Sequence, residues 1–447
     1  MIWATTLSPP RPTTAELLWP TLASLFGGSP PVRLRCWDGS EAGPPGQPTL
    51  ILRDRHALRR LAWQPGELGL ARAYIAGELD VDDDLTGCLR LLRQAAGQRG
   101  PAAMRLPAGS WAETARTAIK LGIVGPPPRP PTSEAPAGSR SDRAEPGPVG
   151  RHHALRPEFC QLVLGPQLAH SAALWAPGCQ DLTNAQAAEL DVTCARLGLR
   201  PGGRLLDVGC GWGALAIHAA YDYRARVTAV TRSGEQAAFA RRRVAGLGIA
   251  AQVSFLVRDF REISVPPQDA IAIELGELLG CQDLAASCDQ LRGQLRPGGR
   301  LLIQQLSHAS AELGFGPFID RYIAPDLHIR PVSETISALE RAGLEITSVT
   351  AMRRDFTTTV HAWQRNLERR WDDAVAMVGA EQARVWRLCL AGLALAFEEG
   401  RMGVHQVVAV APRVRATSST ARRRTGAMDD ERSAASGGAP TEAARAA

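Results

Sequence analysis

The chain has 447 residues, 45% of them apolar, and a net charge of +6. Such a length exceeds one ordinary core, so two folded domains with irregular segments are expected. Nine scattered cysteines without a C-x-x-C pair exclude a disulfide framework or a zinc site, and no apolar run reaches the length of a membrane span.

The opening MIWATTLSPPRPTT has no basic stretch followed by an apolar core, so the protein is expected to be cytoplasmic, or peripheral at the inner face of the membrane. In residues 15–122, VRLRCW, GSEAGPPGQP and TLILRD read as strand, turn and strand, and HALRRLAW reads as an amphipathic helix. This predicts a small α+β domain with a hairpin at its start. Residues 123–150 include GPPPRPPTSEAPAGSRSDRAEPGPVG, whose composition cannot offset the entropy of ordering, so a disordered linker is expected.

Residues 151–412 form the second expected domain. RLLDVG, RVTAVT, VSFLVRD, AIAIEL and RLLIQQL are candidate strands, separated by helical stretches such as GEQAAFARRRVAGLG and LAASCDQLRGQL. Their alternation predicts a Rossmann-like α/β fold with a doubly wound, mainly parallel sheet, in which ligands bind at the carboxyl ends of the strands. The stretch from Leu367 to Val407 is helical in pattern, and residues 413–447 are small, polar and charged, as in a disordered tail.

Between the first of these strands and its helix lies a D-x-G-x-G-x-G turn formed by Asp207, Gly209, Gly211 and Gly213. Glycine admits positive φ and lets a ligand lie against the main chain, while the helix start offers unpaired N–H groups. Gly209, Gly211 and Ala214 satisfy the first part of a dinucleotide fingerprint, but the next strand ends in Thr231 where that fingerprint wants an acid. The acid before the turn favours S-adenosylmethionine (SAM). A turn kept for packing alone is the competing reading.

Longer segments carry a resemblance: PVRLRCWDGSEAGP, PGELGLARAYIAGELDV, LGLRPGGRLLDVGCGWGALAIHAA, VTAVTRSGEQAAFAR, LRPGGRLLIQQL, FIDRYIAP and RVWRLCLAGLALAFEEGRMGVHQVV. Across residues 30–410, the linker aside, the chain resembles the cyclopropane-fatty-acyl-phospholipid synthases, SAM-dependent methyltransferases of unsaturated lipid acyl chains. The resemblance implies a class I SAM-dependent methyltransferase domain and an N-terminal domain involved in lipid handling. It also implies that Asp207, Gly209, Gly211 and Gly213 back onto the methionine portion of SAM. Thr231, Ser233 and Gln236 match a second SAM segment, and Asp259 and Phe260 match positions near the adenine, where a carboxylate bonds and a ring stacks.

In that family the alkene attacks the sulfonium methyl, and a base then removes a proton so that the ring closes; the base is attributed to bicarbonate held by a Cys, a Glu, a His, an Ile and a Tyr. The Glu matches Glu277, the candidate catalytic residue. The remaining positions depart. Ser171-Ala172-Ala173-Leu174 keeps a SAM-facing serine without the cysteine, Gln304 stands for the histidine, Leu306 for the isoleucine and Phe356 for the tyrosine, and an upstream segment reads His152-His153-Ala154. Gln304 remains as an amide donor, with His308 or His361 as replacements, and bicarbonate binding of the usual kind is in doubt.

The implied reaction is methyl or methylene transfer from SAM to a cis double bond, giving a cyclopropane or a methylene- or methyl-branched chain. The rival readings are a SAM- or lipid-binding protein without turnover, and a methyltransferase of a small soluble metabolite. The expected partners are a phospholipid membrane surface, with a second copy of the chain and a separate reductase as further candidates. Nucleic acid is excluded, because aromatics are few and no N-P-P-Y motif occurs.

Overall fold

The N-terminal region starts from a helix whose ends are written into its sequence. In a computed structural model describing residues 12–82, 84–97, 111–134, 156–179, 181–274, 284–308, 316–324 and 329–413, α1 (Thr14–Phe26) opens with a capping box between Thr13 and Glu16. VRLRCW and TLILRD do not form the expected hairpin: β1 (Arg33–Arg35) pairs antiparallel with β2 (Glu41–Ala42), which lies in the stretch read as the turn, and β3 (Thr49–Leu52) runs parallel to β1. Helices α2 (His56–Trp63) and α3 (Glu67–Ile75) lead to β4 (Leu79–Val81), antiparallel to β3, and then to α4 (Leu85–Gly97) and α5 (Trp111–Lys120).

Residues 123–134, the first part of the expected disordered linker, are instead held in place. Arg59 Nε donates to the Ile123 carbonyl at 2.9 Å, Arg60 Nη1 to that of Arg129 at 2.7 Å, and Trp63 Nε1 to that of Gly125 at 2.9 Å. Arg72 pairs with Glu134 at 2.5 Å. Prolines restrict the unfolded chain, so fixing this stretch costs less entropy, and the guanidinium groups satisfy its carbonyls. Residues 135–150 of that linker and 414–447 of the expected tail lie outside the described residues.

The larger part follows in the order α6 (Pro157–Leu164), α7 (Leu182–Leu197), β5 (Arg204–Val208), α8 (Ala214–Tyr221), β6 (Arg226–Thr231), α9 (Gly234–Gly246), β7 (Val253–Val257) and β8 (Gln268–Ile273). It continues with α10 (Leu284–Gln294), β9 (Leu295–His308), α11 (Pro317–Tyr322), α12 (Val332–Arg341), β10 (Glu345–Ala351), α13 (Arg353–Arg369), α14 (Trp371–Val378), α15 (Ala380–Glu398) and β11 (Met402–Val410). The sheet order is β10-β11-β9-β8-β5-β6-β7. Strands β7 to β9 are mutually parallel through β6, β5 and β8, whereas β11 runs antiparallel to both β9 and β10.

All five expected strands form. The final residues of the stretch read as helical do not: the helix ends at Glu398, Gly400 turns the chain at φ 70°, and Met402–Val407 belongs to β11. Val404, Val407 and Val408 there suit a pleated, packed surface better than a helix.

The pleat sends alternate side chains to opposite faces. Leu205, Ala229, Ala272 and Leu302 pack beneath α7, α8 and α9, while Leu206, Val230, Ile271 and Ile303 pack beneath α10 and α12. The N-terminal helices join the larger part through Leu68 and Ile75 against Phe318 and Val385, and Asp80 accepts from Arg384 at 2.7 Å.

Candidate active site

The glycine turn leaves β5 in the middle of the sheet, between β6 and β8. The amides of Gly209 and Cys210 both donate to the Val230 carbonyl, at 2.9 and 3.0 Å, which ties the turn to β6. Gly209, Gly211 and Gly213 have φ of 77°, 50° and 86°, all in the left-handed region. Their surroundings differ. A Cβ on Gly213 would stand 3.0 Å from Ala240 Cβ, whereas one on Gly211 would meet nothing within 4 Å. Gly213 therefore lets α8 and α9 approach, and Gly211 leaves the turn open on its own side.

At the next strand end, Thr231 Oγ1 donates to Gln236 Oε1 at 2.9 Å and accepts from the Ser233 amide at 3.1 Å, while Ser233 Oγ caps α9 by accepting from the Gln236 amide at 3.3 Å. The structure thus joins these three residues beside the turn. Asp259, after β7, is gripped by Arg261 at 2.7 Å, and that hydrogen bond holds its carboxyl below the usual range. Phe260 is packed in the core with Val208, Val230 and Ile263.

A buried polar layer lies on the α7 face of the sheet. Asp207 on β5 is paired in register with Ala272; two residues further along β8 comes Glu274, which stands beside Gln304 because Ile273 pairs with Ile303. Gln304 in turn pairs with Gln406 of β11. From α7, Glu189 closes the layer: its carboxylate accepts from Thr193 Oγ1 at 2.9 Å, from Gln406 Nε2 at 3.4 Å and from Ser171 Oγ at 3.5 Å. Arg196 donates to Gln406 Oε1.

Asp207, Gln304, Glu189 and Gln406 are all at most 3% exposed. Asp207 Oδ2, Glu274 Oε1 and Gln304 Oε1 are nonetheless shielded acceptors with no hydrogen-bond partner among the described residues. Burial, and then the neighbouring Glu274 charge, raise the carboxyls of both Glu189 and Asp207; burial raises that of Glu274. Sequence reasoning missed Glu189, Glu274 and Gln406. The signals were present: an acid on the packed face of AQAAELDVTCA, and one at the end of an apolar strand, AIAIE.

The sequence pattern of the family described as mycolic acid cyclopropane synthetase matches residues 141–407. The chain belongs to this family. A probable fatty acid methyltransferase of Pseudomonas putida is 31% identical over 86% of this chain and 92% of its own length, so that likeness includes the N-terminal region. The cyclopropane-fatty-acyl-phospholipid synthase of Escherichia coli is 28% identical over 58% of this chain and 67% of its own. Among solved structures, a mycolic acid cyclopropane synthase complexed with SAH and CTAB is 26% identical, with a TM-score of 0.56, covering 59% of this chain and 97% of that one.

Phe356 lies buried edge-on to Trp363 and Phe397, with ring centroids 5.8 and 4.8 Å away. His361 is bound to Glu398 at 2.7 Å and to Gln364 at 2.9 Å, so its ring is committed on α13. His308 at the end of β9 meets the Ile329 carbonyl at 2.8 Å through Nε2. Glu277 and the segment His152-His153-Ala154 lie outside the described residues. The orphaned acceptors, the open side of Gly211 and the strand-end position fit SAM, whose amino-acid end brings a donor-rich cation.

Proposed function

We propose that the protein transfers a methyl or methylene group from SAM to the cis double bond of an unsaturated phospholipid acyl chain. The observation that carries this reading is the open glycine turn beside shielded, unpaired acceptors. The names of its relatives, a fatty acid methyltransferase and a cyclopropane-fatty-acyl-phospholipid synthase, support the acceptor. SAM when bound supplies an electrophilic methyl group. The chain's part is to hold it between the turn and the polar layer, with Ser171, Asp207, Gly209, Gly211, Gly213, Thr231, Ser233 and Gln236 nearest and Asp259 and Phe260 toward the third strand end.

Water must be kept from the alkylated chain. The apolar cluster of Phe159, Trp212, Phe356 and Trp363 supplies packed surface of that kind on one side. Glu277, shortly after β8, is our candidate for receiving or orienting the proton that is lost; Gln304, set among the acids of the polar layer, is poorly placed to hold an anion. Loss of the thiol, imidazole and phenol favours a methylene or methyl branch over bicarbonate-assisted ring closure, with a separate reductase completing a methyl branch.

The lipid would be reached at the cytoplasmic face of a membrane. Trp63, Ile119 and Val124 are 57%, 69% and 68% exposed around the 119–125 turn, with exposed Arg55, Arg116 and Lys120 close by, a composition suited to an anionic surface. The decisive experiment incubates the protein with methyl-labelled SAM and vesicles of cis-monounsaturated phospholipid, then identifies the labelled acyl chain by mass spectrometry and NMR. A labelled branched or cyclopropane chain supports the reading. No labelled lipid from protein that binds SAM overturns it.

A further inference from the structure

Three acids, Glu189, Asp207 and Glu274, share one layer in which Glu189 and Asp207 are buried and Glu274 is half-buried, and the groups facing them do not neutralise it. The titratable and charged groups around Glu274 are Asp207 and Cys210 from β5 and its turn, and Glu189, Cys194 and Arg196 from α7; Gln304 and Gln406 face it from β9 and β11. Arg196 is the one cation in this set, and its guanidinium is spent on Gln406. A buried acceptor left without a donor costs about 1–3 kcal/mol, more when charged. Three such acceptors on neighbouring strands, at the mouth of the glycine turn, therefore mark the place of a ligand group that is both cationic and rich in N–H donors. The sulfonium of SAM has no hydrogen to donate. Its α-ammonium group has three.

We propose that Glu274 is the counter-charge for the α-ammonium group of SAM, with Asp207 and Gln304 completing its cradle and Glu189 positioned behind it to hold the displaced proton balance. The proposal rests on the reading that SAM binds at the glycine turn. Burial, joined at Glu189 and Asp207 by the Glu274 charge, keeps these acids protonated to higher pH than usual in the free protein. Arrival of a cation reverses that preference, so binding releases protons and tightens as pH rises through neutrality.

Titration calorimetry in buffers of different ionisation heat tests this with two probes. S-adenosylhomocysteine keeps the ammonium group and lacks the sulfonium; 5′-methylthioadenosine lacks the amino-acid end altogether. Wild-type protein is expected to release protons on binding S-adenosylhomocysteine and none on binding 5′-methylthioadenosine. Glu274→Gln should weaken S-adenosylhomocysteine about ten- to a hundredfold and abolish most of the release, while leaving 5′-methylthioadenosine affinity intact, which also shows that the variant is folded. Glu189→Gln should change the proton count more than the affinity. Unchanged affinity and proton count in Glu274→Gln refute the assignment. Failure of the wild-type protein to bind either probe overturns the SAM reading, and this assignment with it.

Discussion

Replacing Gly211 and Gly213 in turn by alanine separates a glycine kept for the ligand from one kept for packing. Both occupy left-handed backbone, φ 50° and 86°, where a Cβ costs about 1–2 kcal/mol, part of which, about 0.4–1 kcal/mol, is recovered from the less flexible unfolded chain. At Gly211 nothing lies within 4 Å of the added methyl, so the net loss of stability stays within about 1.6 kcal/mol. At Gly213 the methyl would also press on Ala240 Cβ at 3.0 Å, with Ile217 and Phe255 at 3.6 Å behind it. Overpacking of that kind adds about 1–3 kcal/mol, so Gly213→Ala should lose about 1–4.6 kcal/mol in all. Thermal unfolding and SAM titration of the two variants give the readout. Gly213→Ala should lower the unfolding midpoint clearly, whereas Gly211→Ala should unfold near wild type and bind SAM much more weakly. Wild-type affinity in Gly211→Ala would falsify the placement of the ligand on the open side of the turn.

Asp80 supplies a second test. It is 6% exposed and accepts from Arg53 at 3.0 Å and from Arg384 at 2.7 Å; burial works to raise its carboxyl, but the hydrogen bond and charge of Arg384, and then Arg53, bring it below the usual value. Asp80→Asn should therefore cost about 3–5 kcal/mol in denaturant unfolding. Because the folded pKa is depressed, this stabilisation is complete above the ordinary aspartate value of about 3.9 and is lost as pH falls through the folded one. The variant should accordingly show a flatter acid limb, and an unchanged limb would count against the pairing. For Glu277→Gln, loss of a proton-handling group predicts a fall of about 10²–10⁴-fold in turnover on vesicles, with SAM affinity preserved; full turnover would remove Glu277 from the reaction.

Much of the fold was legible because its central strands are buried on both faces, so AIAI reads as a short apolar run and RVTAVT as a mainly β-branched one. The two antiparallel strands were not. Strand β10 is exposed along most of its length and carries little apolar signal, and β11 follows an apolar helix with only Gly400 to mark the break. The order of the first domain was obscured for a related reason: short strands announce their presence but not whether they pair parallel or antiparallel, as β1 with β3 shows.

For the site, the sequence by itself determined the glycine turn, the grouping of Thr231, Ser233 and Gln236 after the second strand, and the family, because each is carried by residues close together in the chain. Its tertiary structure alone decided that Gly211 faces open space while Gly213 faces a helix, that Phe260 packs in the core, and that Glu189, Glu274 and Gln406 meet. The physical reason is register. An acid's cost depends on whether water or another acid stands beside it, and residues 189, 274 and 406 become neighbours only when α7 covers the sheet and β11 pairs with β9.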